Sequence, residues 1–347
     1  MSTTTTTATT AATATATSSR STLMEQLLVE LSTLTRTSEE KQVVSVIDRA
    51  VTEALTTEDY NALANIFVLL FHIRDCREGK GERKLFYILL LRIYARFPQT
   101  VIRLLQVLPE YGYFKDFTNL FLESQKVLDA KGSNKQLLSQ ALVDGVVTAL
   151  RADDEKVQAA LKAKEHVQDL SLAAKYAPRI SRSTKSKSNT IEFARLIRNS
   201  IFPTNPRASE AYRKMLSRIN EQLGTIECLM SGHRWDEIEV KCVPSKCLKM
   251  KRKAFLFEDK KGKIRDASNK ERIKLREKFL KPAAAKQIKG KQVSPNELVH
   301  TCLHESPSEA EQVIIEAQWQ DIISNVQKQI IAYAQQQRDV LAMDGGS

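Results

Sequence analysis

Between Arg74 and Arg83 the chain reads RDCREGKGER, so that Arg74, Arg77, Lys80 and Arg83 crowd around Gly79 and Gly81. Guanidinium and ammonium groups beside glycine-freed backbone are a chemistry suited to anions, because the cations neutralise phosphate and a Cβ-less backbone can approach it closely. The run lacks the G-x-x-x-x-G-K-[ST] spacing and the preceding strand of a nucleotide loop, which argues against nucleotide hydrolysis. A competing reading is purely structural: Arg74, Asp75, Glu82 and Arg83 pair with one another and cap two helices. Other chemistry is sparse. His300, Cys302 and His304, with Cys242 and Cys247 upstream, match no standard zinc spacing, and no Ser/His/Asp or Cys/His arrangement is readable. His72 sits in an apolar stretch and reads as a core histidine. The expectation is a non-enzyme without cofactor or metal.

The elements that position this elbow are helices. Phe67 to Phe71 and Leu85 to Ile93 are apolar runs of helical period on either side of it. Before them, Leu23, Leu27, Leu28, Leu31 and Leu34 mark one helix, and Val43, Val44, Ile47, Val51 and Leu55 mark a second, opened by a capping-box pattern at Thr37–Glu40. Leu63, Ile66, Phe67, Leu70 and Phe71 face inward on a third. Pro98 opens the next helix. Pro109 to Asp116 (PEYGYFKD) reads as an aromatic turn pinned by packing, with base stacking as the alternative. Further helices are expected over 136–150, 154–172, 190–200 and 308–337, the last opened by Ser308-Glu309-Ala310-Glu311 and suited to homo-oligomer or protein contacts. Residues 259–291 read as an exposed charged helix or a connector. Few glycines and prolines, 6% aromatics and 42% hydrophobic residues favour an all-α fold. Residues 1–20, rich in Thr and Ala, are expected to be disordered, and their lack of arginine before Arg20 argues against a transit peptide.

Charge carries the partner information. The chain has a net charge of +12, yet residues 175–291 hold 31 Lys and Arg against 12 Asp and Glu, or +19, leaving −7 for the rest. Such asymmetry suits a polyanion: RNA, with DNA as the alternative. The candidate contacts are Arg74, Arg77, Lys80 and Arg83 at the elbow, Lys185 and Lys187 in a Ser/Lys loop at 180–189, and Arg213, Lys214, Lys249, Lys251 and Arg252 beyond it. A packaging or scaffold role is the competing reading. No apolar run is long enough for a membrane span, and five scattered cysteines argue against a disulfide framework. The chain is expected to work inside a cell or a virion, without a membrane.

Several segments resemble a known family. RDCREGKGERKLFYILL, PEYGYFKD, AKYAPR (174–179), YRKMLS (212–217) and SPNELV (294–299) are similar to motifs of the family called domain of unknown function 2828, found in plants, fungi and giant viruses. Glu78, Ile180, Arg218 and Asn296 depart from those motifs. The resemblance implies a HEAT-like or TROVE-like array of antiparallel helix pairs, like the RNA-binding ring of Ro autoantigens, followed by a von Willebrand A-like domain. Residues 339–347 look like the first strand and the start of the metal loop of that second domain. Too little follows to complete it, so no metal site is expected at Asp344. The domain plan expected is a tail (1–20), a helical-repeat region (21–175), a basic helical region (176–291), and a C-terminal helix with a truncated second domain (292–347).

Overall fold

A computed structural model describes residues 23–128, 133–165, 167, 169–180, 188–285, 287–290 and 292–344. The Thr/Ala tail, Lys185 and Lys187 lie outside the described residues. Among the described residues no strand or sheet forms; a single antiparallel bridge joins Glu258 to Ile264. The fold is all-α. Residues 23–33 form α1, followed by α2 (Glu40–Thr56), α3 (Tyr60–Arg74), α4 (Lys84–Tyr94), α5 (Pro98–Leu104), α6 (Leu108–Tyr111), α7 (Lys115–Val127) and α8 (Ser133–Ala163). Then come α9 (Ala173–Tyr176), α10 (Asn189–Ile201), α11 (Ala208–Gln222), α12 (Ile226–Ser231), α13 (Ser245–Phe255), α14 (Lys270–Ala284), α15 (Pro295–His304) and α16 (Glu309–Asp344).

Two compact units share these helices, one reaching Leu223 and the other starting at Gly224. In the first, α2 packs on α3 and α4, while α8 packs against α5, α7, α10 and α11. Most of the inward faces are those read from periodicity: Leu27, Leu31, Val43, Ile47, Ile66, Leu70, Phe86 and Leu90 are buried, whereas Leu23 and Leu55, at helix ends, are exposed. Local chemistry sets the helix starts. The Asp59 carboxylate accepts from the Ala62 amide at 2.9 Å at the head of α3, and Pro98 opens α5. The Thr37–Glu40 box does not form; α2 starts after Glu39 with no side-chain cap, because Ser38 Oγ instead accepts from the Thr35 amide. The segments expected as separate helices at 136–150 and 154–172 include one continuous α8, since buried Val146, Leu150, Asp153 and Val157 keep one face in phase. Gly145 lets this helix close on α7: a Cβ there would stand 2.5 Å from the Phe117 ring.

In the second unit, α14 and α16 pack on each other. Residues 270–284, expected to be exposed or unstructured, are a core helix. Leu275, Phe279 and Ala283 recur every fourth residue and are buried, with the Phe279 ring 4.7 Å from Phe255. Three apolar residues among many charges make a narrow stripe that is easily missed in sequence. The expected capping box of Ser308 with Glu311 forms, and the structure adds one that was not anticipated, Ser294 with Glu297. The last helix runs to Asp344, so residues 339–344 are helical where the resemblance implied a strand. A continuing helix satisfies those backbone groups locally, and the described residues offer no strand for them to pair with.

Candidate nucleic-acid interface

The elbow closes back on the end of α3. The Lys80 amide donates to the His72 carbonyl at 3.1 Å and the Glu82 amide to Ile73 at 2.8 Å, so both return to carbonyls at the C-terminus of α3. The Asp75 amide donates to Phe71, Cys76 to Tyr111 and Gly81 to Asp75, while the Arg77 amide reaches the Asp75 carboxylate at 2.8 Å. Gly79 allows the approach, because a Cβ would stand 2.0 Å from the His72 carbonyl oxygen; Gly81 takes φ +68°. These amides face protein acceptors, so the glycines serve backbone approach and a left-handed turn, and no phosphate cradle is built from them.

The elbow cations are largely committed as well. Arg74 is fully buried, and its Nε and Nη2 donate to Asp116 Oδ2 at 2.9 and 2.6 Å. Asp116 also accepts from the Tyr113 amide at 2.9 Å and the Tyr87 hydroxyl at 2.5 Å. Burial, followed by the Asp116 charge, pushes the Tyr87 hydroxyl far above the usual phenol range, so it remains a donor. Gly112 makes room: a Cβ there would stand 2.1 Å from Asp116 Oδ2 and 3.0 Å from the Arg74 guanidinium carbon. The Arg74 guanidinium also lies 5.1 Å from the Tyr113 ring centre, and the Tyr111 ring packs edge-on to Phe71 at 5.2 Å. The RDCREGKGER and PEYGYFKD motifs are therefore two halves of one buried cluster, and Arg74 cannot reach a phosphate.

Lys80, half-buried, donates from Nζ to the Ser32 and Leu34 carbonyls, the latter at 2.9 Å, and so caps the end of α1. Arg77 is exposed but donates to the Glu110 carbonyl. Glu82 pairs with Arg36 at 3.0 Å, and Arg83 is exposed. The mutual pairing expected among Arg74, Asp75, Glu82 and Arg83 does not form: Arg74 pairs with Asp116 and Glu82 with Arg36, so the elbow's structural role comes from distant partners. His72 is exposed, not a core residue, because it stands on the outer side of α3 between buried Phe71 and Ile73.

On α11, Arg213 and Lys214 are exposed, with Lys214 held by Glu210 at 2.8 Å. In the second unit, Lys251 is exposed at a local break in α13 (φ −113°, ψ 15°). Lys249 is half-buried beside Glu297 at 3.5 Å. Arg252 is buried between Glu305 and Glu311, each at 3.4 Å, so it holds the capping-box glutamate of α16 and is not a surface contact. Replacing it by alanine would leave buried Glu311 with only Lys253, at 3.8 Å, as a cationic partner, so it is no innocent probe of binding.

A group of cations that sequence reasoning left out stands at residues 260–265. The Glu258↔Ile264 bridge closes a turn in which the Asp259 amide donates to the Lys263 carbonyl at 2.8 Å, and Asp259 Oδ1 accepts from the Lys261 and Lys263 amides at 2.8 and 2.9 Å. Those amides, then the nearby lysines, hold the Asp259 carboxyl below its usual range. Lys260, Lys261, Lys263 and Arg265 are exposed around it. The signal available in sequence was D-K-K-G-K, a turn with glycine in its fourth position.

The other candidate chemistry does not assemble. Among the described residues no group of three or more His, Cys, Asp and Glu is placed to hold a metal. His300 and His304 lie on α15 with ring centres 4.5 Å apart, while Cys242 and Cys302 are exposed. No helix among the described residues is long and apolar enough to cross a membrane.

A family model described as a domain of unknown function (DUF2828) matches residues 130–330. Uncharacterized protein L728 of Acanthamoeba polyphaga mimivirus is 25% identical over 301 residues, covering 84% of this chain and 49% of its own. The chain thus spans about half the length of that relative. No solved structure matches.

Proposed function

This chain belongs to the DUF2828 family, and on that premise we propose that it is a non-enzymatic nucleic-acid-binding protein with a helical-repeat fold that grips RNA in preference to DNA by its sugar-phosphate backbone. The observation that carries this reading is the uneven charge, +19 over residues 175–291 against a total of +12. Much of that excess stands on solvent-exposed side chains, among them Arg213, Lys246, Lys251, Lys260, Lys261 and Lys263. Exposed cations release counterions when they meet phosphates, so affinity falls steeply with salt. The test is a competition titration of the purified chain with structured RNA, single-stranded RNA and duplex DNA across a salt series. Preference for one RNA form that persists at physiological salt supports recognition; absence of binding at low salt removes the reading.

A second reading, a packaging or scaffold protein, draws on the outer part of α16, where Val326, Ile330, Ile331 and Tyr333 are 48–64% exposed. It predicts equal, salt-labile binding to all three nucleic acids together with self-association, measured by light scattering.

A further inference from the structure

We propose that the turn at residues 259–265 is a preformed phosphate-binding knuckle, and that Lys260, Lys261, Lys263 and Arg265 are its contacts. The inference rests on the nucleic-acid reading and gives it a location. Three features separate this turn from an ordinary stretch of surface lysines.

The two acids at its start are engaged by the protein. Glu258 is buried and pairs with Arg276 at 2.6 Å while accepting from Ser308 Oγ at 2.8 Å. Asp259 spends one carboxylate oxygen on the Lys261 and Lys263 amides. The outward face therefore carries four exposed cations, Lys260, Lys261, Lys263 and Arg265, which outnumber the Asp259 and Asp266 carboxylates beside them. The turn is also clamped. Its closing amide, Arg265, donates to the Phe257 carbonyl at 3.0 Å, Arg265 Nε holds the Glu258 carbonyl at 2.9 Å, and Lys253 Nζ holds that of Lys260 at 3.0 Å. Gly262 takes φ +80° and stands so close to the start of α16 that a Cβ would lie 2.9 Å from the Ser308 Cβ. Cations on a fixed backbone lose less freedom on binding than cations on a loop that must first order. Finally, the turn offers little apolar anchorage, with Ile264 43% exposed as its single large apolar side chain. Protein interfaces draw their energy from buried aromatic and aliphatic anchors, whereas a sugar-phosphate chain needs charge and reach. That contrast favours nucleic acid over an acidic protein.

The test compares the full chain with a triple variant, Lys260→Ala, Lys261→Ala and Lys263→Ala, titrated with a short single-stranded RNA across a salt series, with polyglutamate as competitor. Each phosphate contact on a single strand contributes about 0.7 to the slope of log K against log salt, so the variant is expected to lose about 2 from its slope and on the order of tenfold in affinity. Asp259→Ala keeps every cation and removes a negative charge, yet it frees the turn, so weaker binding is expected. If the wild type binds and the triple variant matches its slope, the knuckle is wrong and the nucleic-acid reading survives. If the wild type does not bind, both fall. Displacement of the RNA by polyglutamate at equal charge, or a rise in affinity in Asp259→Ala, overturns a preformed phosphate site.

Discussion

The elbow of the first unit and the knuckle of the second share their ingredients. Each gathers three lysines or arginines or more around a glycine of positive φ, Gly81 at +68° and Gly262 at +80°. Their fates differ. At the elbow, Arg74 is sealed against Asp116, and Lys80 and Arg77 donate to carbonyls of residues 32, 34 and 110. At the knuckle, Glu258 is turned inward, Asp259 accepts from the turn's own amides, and the cations are left facing water. What distinguishes a structural cation from an available one is where its acceptors come from, which local charge does not reveal. A burial-committed arginine contributes to stability, and a stranded partner is costly; an exposed lysine contributes little to stability and is free to bind.

The largest effect tests the elbow. Arg74→Ala leaves Asp116 buried without its cation and is expected to cost about 3–5 kcal/mol, read by urea denaturation. Arg252→Ala, which leaves buried Glu311 with Lys253 alone at 3.8 Å, is expected to lower stability by a smaller amount. Wild-type stability in either would dissolve the comparison. Lys80→Ala removes two charge-assisted bonds to carbonyls at the end of α1 and is expected to cost about 2 kcal/mol, with no change in RNA affinity. At the knuckle the expectation is reversed: the triple lysine variant should stay within about 0.5 kcal/mol of wild type in stability while its binding weakens.

The smallest effect concerns pH. The Asp259 carboxyl is held below its usual range, chiefly by the Lys263 amide. A depressed folded-state value means that its contribution is present above the ordinary aspartate pKa and is lost as pH falls through the depressed one. The Lys261 and Lys263 amide resonances should therefore shift with a midpoint below that of an exposed aspartate. A midpoint at the ordinary value would show the turn to be looser than the hydrogen bonds imply.

Much of the fold was legible because helices carry their own period. Leu27, Ile47, Ile66, Phe86 and Leu90 fell on buried faces, and the box at Ser308 formed as its spacing implied. The start of α2 was not legible, since Ser38 could serve either a helix or the preceding turn and serves the turn. The elbow was legible in kind but not in partners. Local pairing of Arg74 with Asp75 was the natural guess, whereas the true partner stands 42 residues along the chain. The packing of α3 against α6 and of α4 against α7 brings the two motifs together. At residues 260–265, alternating signs concealed an available surface, because the sequence could not say which acids turn inward.

The most direct test of this account measures melting temperature and RNA affinity side by side for two variants, Arg77→Ala with Lys80→Ala at the elbow and the triple lysine variant at the knuckle. The account predicts a crossed result. The elbow variant should melt several degrees lower, at about 2–4 °C per kcal/mol, and bind as wild type; the knuckle variant should melt as wild type and bind on the order of tenfold more weakly. An elbow variant that loses affinity without losing stability, beside a knuckle variant that keeps its affinity, would contradict it.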